Sequence, residues 1–274
     1  MTDETLDMVD LDDAYANAAH IPGAEAYPLR WRQAAHEWRM ARAAAGRARL
    51  NLPYGPRTRQ RFDLFLPEGP AEGVVVFVHG GYWRAFGRQD WSHLAAGGVA
   101  HGVAVALPSH TLAPRARIGA ITREIASALT AIAAETTGPI HLAGHSAGGH
   151  LVARMLCRDV PLSAEVSARL GRVLMISPLG DLRPLMRTRI NDDLRLDMPE
   201  AEAESPVLAP SRRLVPAHVW VGAGERPAFL EQARALADRW GVPLAIAPGR
   251  HHFNVIDDLC DPESTMVKTL LGRG

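Results

Sequence analysis

The sequence has little cysteine, few aromatic residues and no net charge. Two of its 274 residues are cysteine, Cys157 and Cys260. Two isolated thiols make no disulfide framework and lack the paired spacing of a zinc site. Thirty Lys+Arg balance thirty Asp+Glu, so there is no electrostatic footprint for nucleic acid. The longest apolar runs, such as Val74–Val78, are strand-sized, far below the ~20 residues of a membrane helix. The acidic start MTDETLDMVDLDD lacks the basic and apolar parts of a signal peptide, so a cytoplasmic location is expected. There is no H-E-x-x-H, and the first glycine loop lacks G-x-G-x-x-G. No metal and no cofactor are therefore expected. Internal repeats and low-complexity tracts are missing too.

What remains is the composition of a folded domain, 47% apolar and 22% charged. A chain of this length can bury roughly three quarters of its unfolded surface and needs no staples. Trp31, Ala34, Ala35, Trp38 and Ala41 recur at helical spacing, which predicts a helix over Leu29–Arg49 with Pro28 at its start. Asn51–Pro56 reads as a turn-rich link. Residues 1–60 thus form an N-terminal helical extension. It could cover a pocket, join two copies as a homodimer, or pack on the sheet.

From Arg61 onward, strands alternate with helices. Strands are predicted at Arg61–Leu66, Gly73–Val78, Val103–Leu107, Ile140–Ala143, Val173–Ile176, Ala217–Val221 and Leu244–Ala247. Helices are predicted at Asp90–His101, Arg117–Ala134, Ser146–Cys157, Pro227–Trp240 and much of His252–Leu271. This rhythm predicts an α/β domain over 61–274, a mainly parallel sheet covered by helices on both faces. Residues 181–213 are charged, carry four prolines and interrupt the rhythm. They read as a short cap over the carboxyl edge of the sheet that helps to set substrate size.

Gly144-His145-Ser146-Ala147-Gly148 fits G-x-S-x-G between a predicted strand and a predicted helix. The glycines permit a sharp turn that lifts the serine hydroxyl above the sheet. His79-Gly80-Gly81-Tyr82-Trp83 follows an earlier strand. Its glycines let backbone N–H groups approach a ligand, so Gly81, Tyr82 and Ala147 are the candidate donors for an oxyanion. His79 reads as a pin for that loop. A serine nucleophile needs a base, and His251 and His252 follow the last strand and a Pro248-Gly249 turn. The base needs a carboxylate. Glu225, after Ala217–Val221, is preferred to Asp181 because it follows the later strand. Tyr82, Trp83, Phe86 and Phe253 are candidate substrate-binding aromatics, with core packing as their other reading.

These motifs resemble the α/β-hydrolase superfamily and, within it, the kynurenine formamidase-like (arylformamidase-like) esterases. The matching pieces are His79-Gly80-Gly81-Tyr82-Trp83, Thr111-Leu112-Ala113-Pro114, Gly144 to Leu151, Asp181-Leu182-Arg183-Pro184-Leu185 and His252-Phe253. The order Ser146, Glu225, His252 is that of the α/β-hydrolase fold. The resemblance implies that the histidine before Phe is the base, which favours His252 over His251. One departure is Ser177-Pro178, where the family often has Ser-Gly. The expectation is a serine hydrolase with a Ser146–Glu225–His252 triad. Its substrate would be a small ester, amide or thioester, or an N-formyl arylamide. A carboxylesterase or thioesterase is the nearest alternative, and a non-catalytic binding protein on the same fold is more remote. The grouping of His141, His145 and His150 raises a metal site, but the serine elbow explains that segment better.

Overall fold

A computed structural model describes residues 10–273. Most of the acidic start lies outside them. Among these residues, eight strands form one sheet: β1 Ala48–Pro53, β2 Arg61–Phe65, β3 Val74–Val78, β4 Ala104–Pro108, β5 Ile140–His145, β6 Leu170–Ile176, β7 Ala217–Gly222 and β8 Leu244–Ala247. The order across the sheet is β1-β2-β4-β3-β5-β6-β7-β8. β2 runs antiparallel to both of its neighbours, and all pairs from β4 to β8 are parallel.

Among the described residues, ten helices accompany the sheet: α1 Leu11–Ala14, α2 Tyr27–Ala44, α3 Ala96–Ala100, α4 Ile118–Glu135, α5 Ala147–Leu156, α6 Ala164–Arg169, α7 Asn191–Leu194, α8 Met198–Ala203, α9 Pro227–Trp240 and α10 Thr265–Leu271. β3, with the sequence VVVFV, is buried throughout because both of its faces are covered. Val74, Val76 and Val78 pack with Ile121 and Leu129 of α4 and Leu151 of α5. Val75 and Phe77 face the other way, towards Trp31 of α2, Val99 of α3 and Leu270 of α10. Each fully buried Ile or Leu in these two layers stabilises the fold by ~2 kcal/mol.

Several local expectations are corrected. The Asn51–Pro56 link overlaps β1, an edge strand whose burial alternates and whose register slips between Arg49 and Leu52. Asn51 sits at that slip with φ 62°, and together with Pro53 it disguises the strand. The helix expected over Leu29–Arg49 ends at Ala44, just before Gly46 at φ 67°. Asp90–His101 is not one helix but two 3-10 turns followed by α3. Of His252–Leu271, only a 3-10 turn at Asp257–Cys260 and α10 are helical.

β3 leads to β4 on one side, whereas β5 lies on its other side. Loops leaving β3 and β5 therefore diverge and open a crevice at the carboxyl ends of the strands. The N-terminal segment folds back over this edge. Asp63, fully buried on β2, pairs with Arg39 of α2 and with Arg88 (Nε to Oδ1 3.1 Å), and it accepts the Asn51 N–H at 2.8 Å. A buried carboxylate needs such partners to stay charged. Together they tie α2 to β2 and to the loop after β3.

Candidate active site

Ser146 opens α5 with φ 56° and ψ −118°, a left-handed conformation that costs a non-glycine residue roughly 1–3 kcal/mol. The surroundings hold it there. Its N–H donates to Ile176 O at 2.8 Å, and its carbonyl accepts the His150 N–H at 3.0 Å. The elbow packs so closely on β3 that a Cβ at Gly148 would lie 1.9 Å from Val78 O. Gly148→Ala is therefore expected to destabilise the fold by roughly 2–4 kcal/mol. It should also displace Ser146, read as a lower melting temperature and slower labelling by a serine reagent. An unchanged labelling rate would contradict this account.

The loop after β3 runs through three consecutive left-handed residues, Gly81 (φ 109°), Tyr82 (φ 48°) and Trp83 (φ 55°). At Gly81 an added Cβ would meet Ala85 O at 2.7 Å. Among the described residues, the N–H groups of Gly81, Tyr82 and Ala147 have no hydrogen-bond partner. They lie at the carboxyl ends of the paired strands β3 and β5. His79 is buried behind them, stacked 4.9 Å from His110, with Nδ1 2.8 Å from Gly80 O. Burial, reinforced by His110, holds its pKa well below the usual histidine range. A neutral ring there suits the role of loop pin.

Glu225 and His252 meet from separate loops, with Oε2 2.6 Å from Nδ1. The other carboxylate oxygen accepts Ser177 Oγ–H at 2.5 Å and the Gly222 N–H at 2.8 Å. Burial alone would raise the Glu225 pKa. The facing His252 and these hydrogen bonds outweigh it and hold the carboxyl below its ordinary value. The His252 ring lies 4.6 Å from that of His145 and 4.4 Å from that of Phe229.

The competing candidates have other partners. Asp181 is bound to Arg183, at 2.7 Å. His251 Nε2 lies 3.0 Å from the Tyr27 hydroxyl. His141, His145 and His150 do not converge: His141 accepts the Arg172 N–H, His150 contacts Glu204 O, and His145 faces His252.

Ser146 and His252 line one cavity of about 510 Å3, together with Gly80, Gly81, Tyr82, Phe86, His145 and Phe253. Trp83 is not part of it. It is fully buried and packs edge-on against His150 at 5.0 Å, because the left-handed turn sends it into the core. Its substrate-binding reading is corrected to core packing. Trp31 takes a place at the cavity instead. It forms an aromatic wall with Trp91 (4.7 Å), Phe253 (5.3 Å) and Phe86 (5.9 Å).

The roof comes mainly from the N-terminal segment, through Asp12, Tyr15, Ala16, Asn17, Ala18 and Ala19. The 181–213 insertion adds only Ile190 to the lining. Sequence reasoning missed Ser177 as a partner of Glu225. Its signal was its place directly after β6, at the edge where the other polar site residues cluster.

Comparison with known proteins fits this geometry. Residues 75–269 match the model described as "Alpha/beta hydrolase family". The chain is 27% identical over 237 residues to the kynurenine formamidase of Salmo salar, covering 81% of this chain and 80% of that one. It is 27% identical over 239 residues to the kynurenine formamidase of Drosophila melanogaster, covering 80% and 79%. Among solved structures, a candidate thioesterase from Silicibacter sp. TM1040 is 54% identical with a TM-score of 0.93, covering 96% of this chain and 99% of that one. Esterase B from Lactobacillus rhamnosis shares the fold at 18% identity and a TM-score of 0.67, covering 97% and 96%. Among the described residues, no helix is long and apolar enough to cross a membrane. With a serine elbow between β5 and α5, and a family match over most of its length, the chain belongs to the alpha/beta hydrolase family and is kynurenine formamidase-like in sequence.

Proposed function

We propose that the protein is a serine hydrolase that cleaves a small ester, a thioester or an N-formyl arylamide through an acyl-enzyme. The observation that carries this reading is the Glu225–His252 hydrogen bond in the cavity that Ser146 lines. Glu225 accepts the Nδ1 proton of His252, which leaves Nε2 free to act as base. Ser146 Oγ attacks the substrate carbonyl and gives its proton to Nε2. The developing oxyanion accepts N–H groups of Gly81, Tyr82 and Ala147. His252 then protonates the leaving group and activates the water that clears the acyl-enzyme.

The wall of Trp31, Phe86, Trp91 and Phe253 suits a flat aryl group, since aromatic rings pair best edge-to-face or offset. That favours an arylamide or aryl ester. The thioester reading draws on the candidate thioesterase at 54% identity.

A fluorophosphonate should label the native protein one-to-one and leave Ser146→Ala unlabelled. Rates on N-formylkynurenine, p-nitrophenyl acetate and butyrate, and an acyl-CoA then separate the substrate classes. The formamide should exceed the esters by about tenfold or more, equivalent to ~1.4 kcal/mol of selective transition-state binding. An acyl-CoA rate above both would select the thioesterase. Failure of the native protein to label would sink the serine mechanism.

A further inference from the structure

His251 has no step in the mechanism above, yet it is held more closely than a spare loop histidine needs to be. It stands beside His252 in residues 248–256, a stretch without helix or strand between β8 and the 3-10 turn at Asp257–Cys260. The base is thus carried by a loop. Loops move more than the elements they join, and a catalytic group misplaced by about 1 Å can lose about a hundredfold in rate. The start of this loop is tied to the loop after β7, where Gly224 N–H donates to Arg250 O at 2.8 Å. The His252 ring is tied to Glu225. A further hold comes from His251.

Both ring nitrogens of His251 are engaged. Phe253 N–H donates to Nδ1 at 3.2 Å, which leaves the proton of a neutral ring on Nε2. Nε2–H then donates to Tyr27 Oη at 3.0 Å. Burial, aided by His252, Arg250 and Arg30 against the pull of Glu225, holds the His251 pKa below the usual histidine value, so the neutral ring prevails at pH 7. The backbone closes the same turn. His251 N–H donates to Asn254 Oδ1 at 2.7 Å, and His251 O accepts the Val255 N–H at 3.0 Å. His252 lies inside this turn. Tyr27, the first residue of α2, is itself held: its ring packs on Phe253 and Trp31, each at 5.5 Å, and Arg30 stacks 4.0 Å over it. Neither His251 nor Tyr27 lines the cavity, so neither touches a substrate bound there.

We propose that His251 is a positioning residue: its ring links the loop that carries His252 to Tyr27 at the start of α2, and so fixes the base relative to Ser146. This rests on the serine hydrolase reading above and deepens it. The two ring bonds have separate roles. The bond from Phe253 N–H spans two residues, the pattern of an Asx-turn, and shapes the corner at His252. The bond to Tyr27 joins segments 224 positions apart and stops that corner from shifting as a body. α2 is in turn tied to β2 through Arg39 and Asp63. The base is therefore referenced to the sheet on two sides, through Glu225 after β7 and through Tyr27.

The test is steady-state kinetics on p-nitrophenyl acetate, with the active sites of each enzyme counted by fluorophosphonate labelling carried to completion. His251→Asn keeps the bond that spans two residues, because an Asn carbonyl accepts it, and loses the bond to Tyr27. Tyr27→Phe loses that same bond and keeps the ring packing. Each should lower kcat about fivefold, the size of one hydrogen bond, with KM changed by less than about twofold. The double variant should also lose about fivefold rather than about 25-fold, because both changes break one bond. His251→Ala removes both bonds and should lower kcat about 25-fold. A residue that only stabilised the fold would lower the labelled fraction and the melting temperature and leave kcat per labelled site unchanged. That result in Tyr27→Phe and His251→Asn, or losses that multiply in the double variant, would overturn the proposal. Both variants keep the test decisive if His251→Ala folds poorly. Native protein that fails to label would instead overturn the serine mechanism, so the two failures are distinguishable.

Discussion

Glu225→Gln lowers kcat/KM by about 1,000- to 10,000-fold while the protein stays folded. This size is expected of a triad whose carboxylate is replaced by an amide. The amide keeps the shape of the carboxylate. Its oxygen can still accept Ser177 Oγ–H and the Gly222 N–H, the two bonds that hold one side of Glu225. The other side changes sign. A glutamine NH2 facing His252 Nδ1 is a donor, so Nδ1 becomes the acceptor and the ring proton moves to Nε2. In the proposed mechanism that nitrogen takes the Ser146 proton, and in the variant it no longer can. The variant also loses the negative charge that stabilises the imidazolium. The check is steady-state kinetics beside a melting curve. A loss below tenfold with native stability would move the acid role away from Glu225.

Acid unfolds the protein steeply below about pH 5.5. His79, His110, His145 and His150 are all buried, at most 4% exposed. Burial pushes His110 down to about 4 and His150 down to about 3. It is also the main cause that holds His79 and His145 well below the usual range. In the unfolded chain each titrates near 6.5. The native state therefore stays unprotonated while the unfolded state takes up protons, and stability falls as pH drops below 6.5. Above that pH these groups add no pH dependence. Each contributes up to about 1.4 kcal/mol per pH unit, so four contribute up to about 5.5 kcal/mol per unit. A typical domain has 5–15 kcal/mol in total. Tryptophan fluorescence against pH should show a cooperative transition between about pH 4 and 5.5. His110→Gln should flatten the slope of urea stability against pH by about one fifth, because burial also pushes His93 down to about 4 and makes it a fifth such group. A urea midpoint that is flat between pH 6.5 and 5 would refute the neutral-histidine picture.

The two parts of the site differ in how readable they were. The elbow is local: an apolar strand, two glycines around a serine, and a helix follow one another within twenty residues. Local sterics suffice to read it, and β5, Ser146 and α5 lie where the pattern puts them. The roof is non-local. Trp31 looked like one residue of a helical stripe, and helical spacing cannot say which body the stripe packs on. Trp83, next to the candidate oxyanion loop in sequence, looked like a pocket residue and proved to be core. Its neighbour Tyr82 in the same left-handed turn does line the cavity, and no composition argument reveals which of the two faces it. β1 was hidden for a related reason. An edge strand with a register slip needs only half of its residues to be apolar.

The sequence by itself determined the class of fold, the serine elbow, the oxyanion-loop candidates and the membership in the alpha/beta hydrolase family. All of these are written in contiguous segments. The tertiary structure decided which acid meets which histidine, since Glu225 and His252 lie 27 positions apart and touch only because β7 and β8 are neighbours in the sheet. It also decided that Asp181 belongs to Arg183, that Ser177 braces Glu225, and that residues 12–31 rather than the insertion roof the cavity. The physical reason is the same in each case. Burial and hydrogen bonding are properties of a place, and a place in this fold is assembled from segments that the chain keeps far apart.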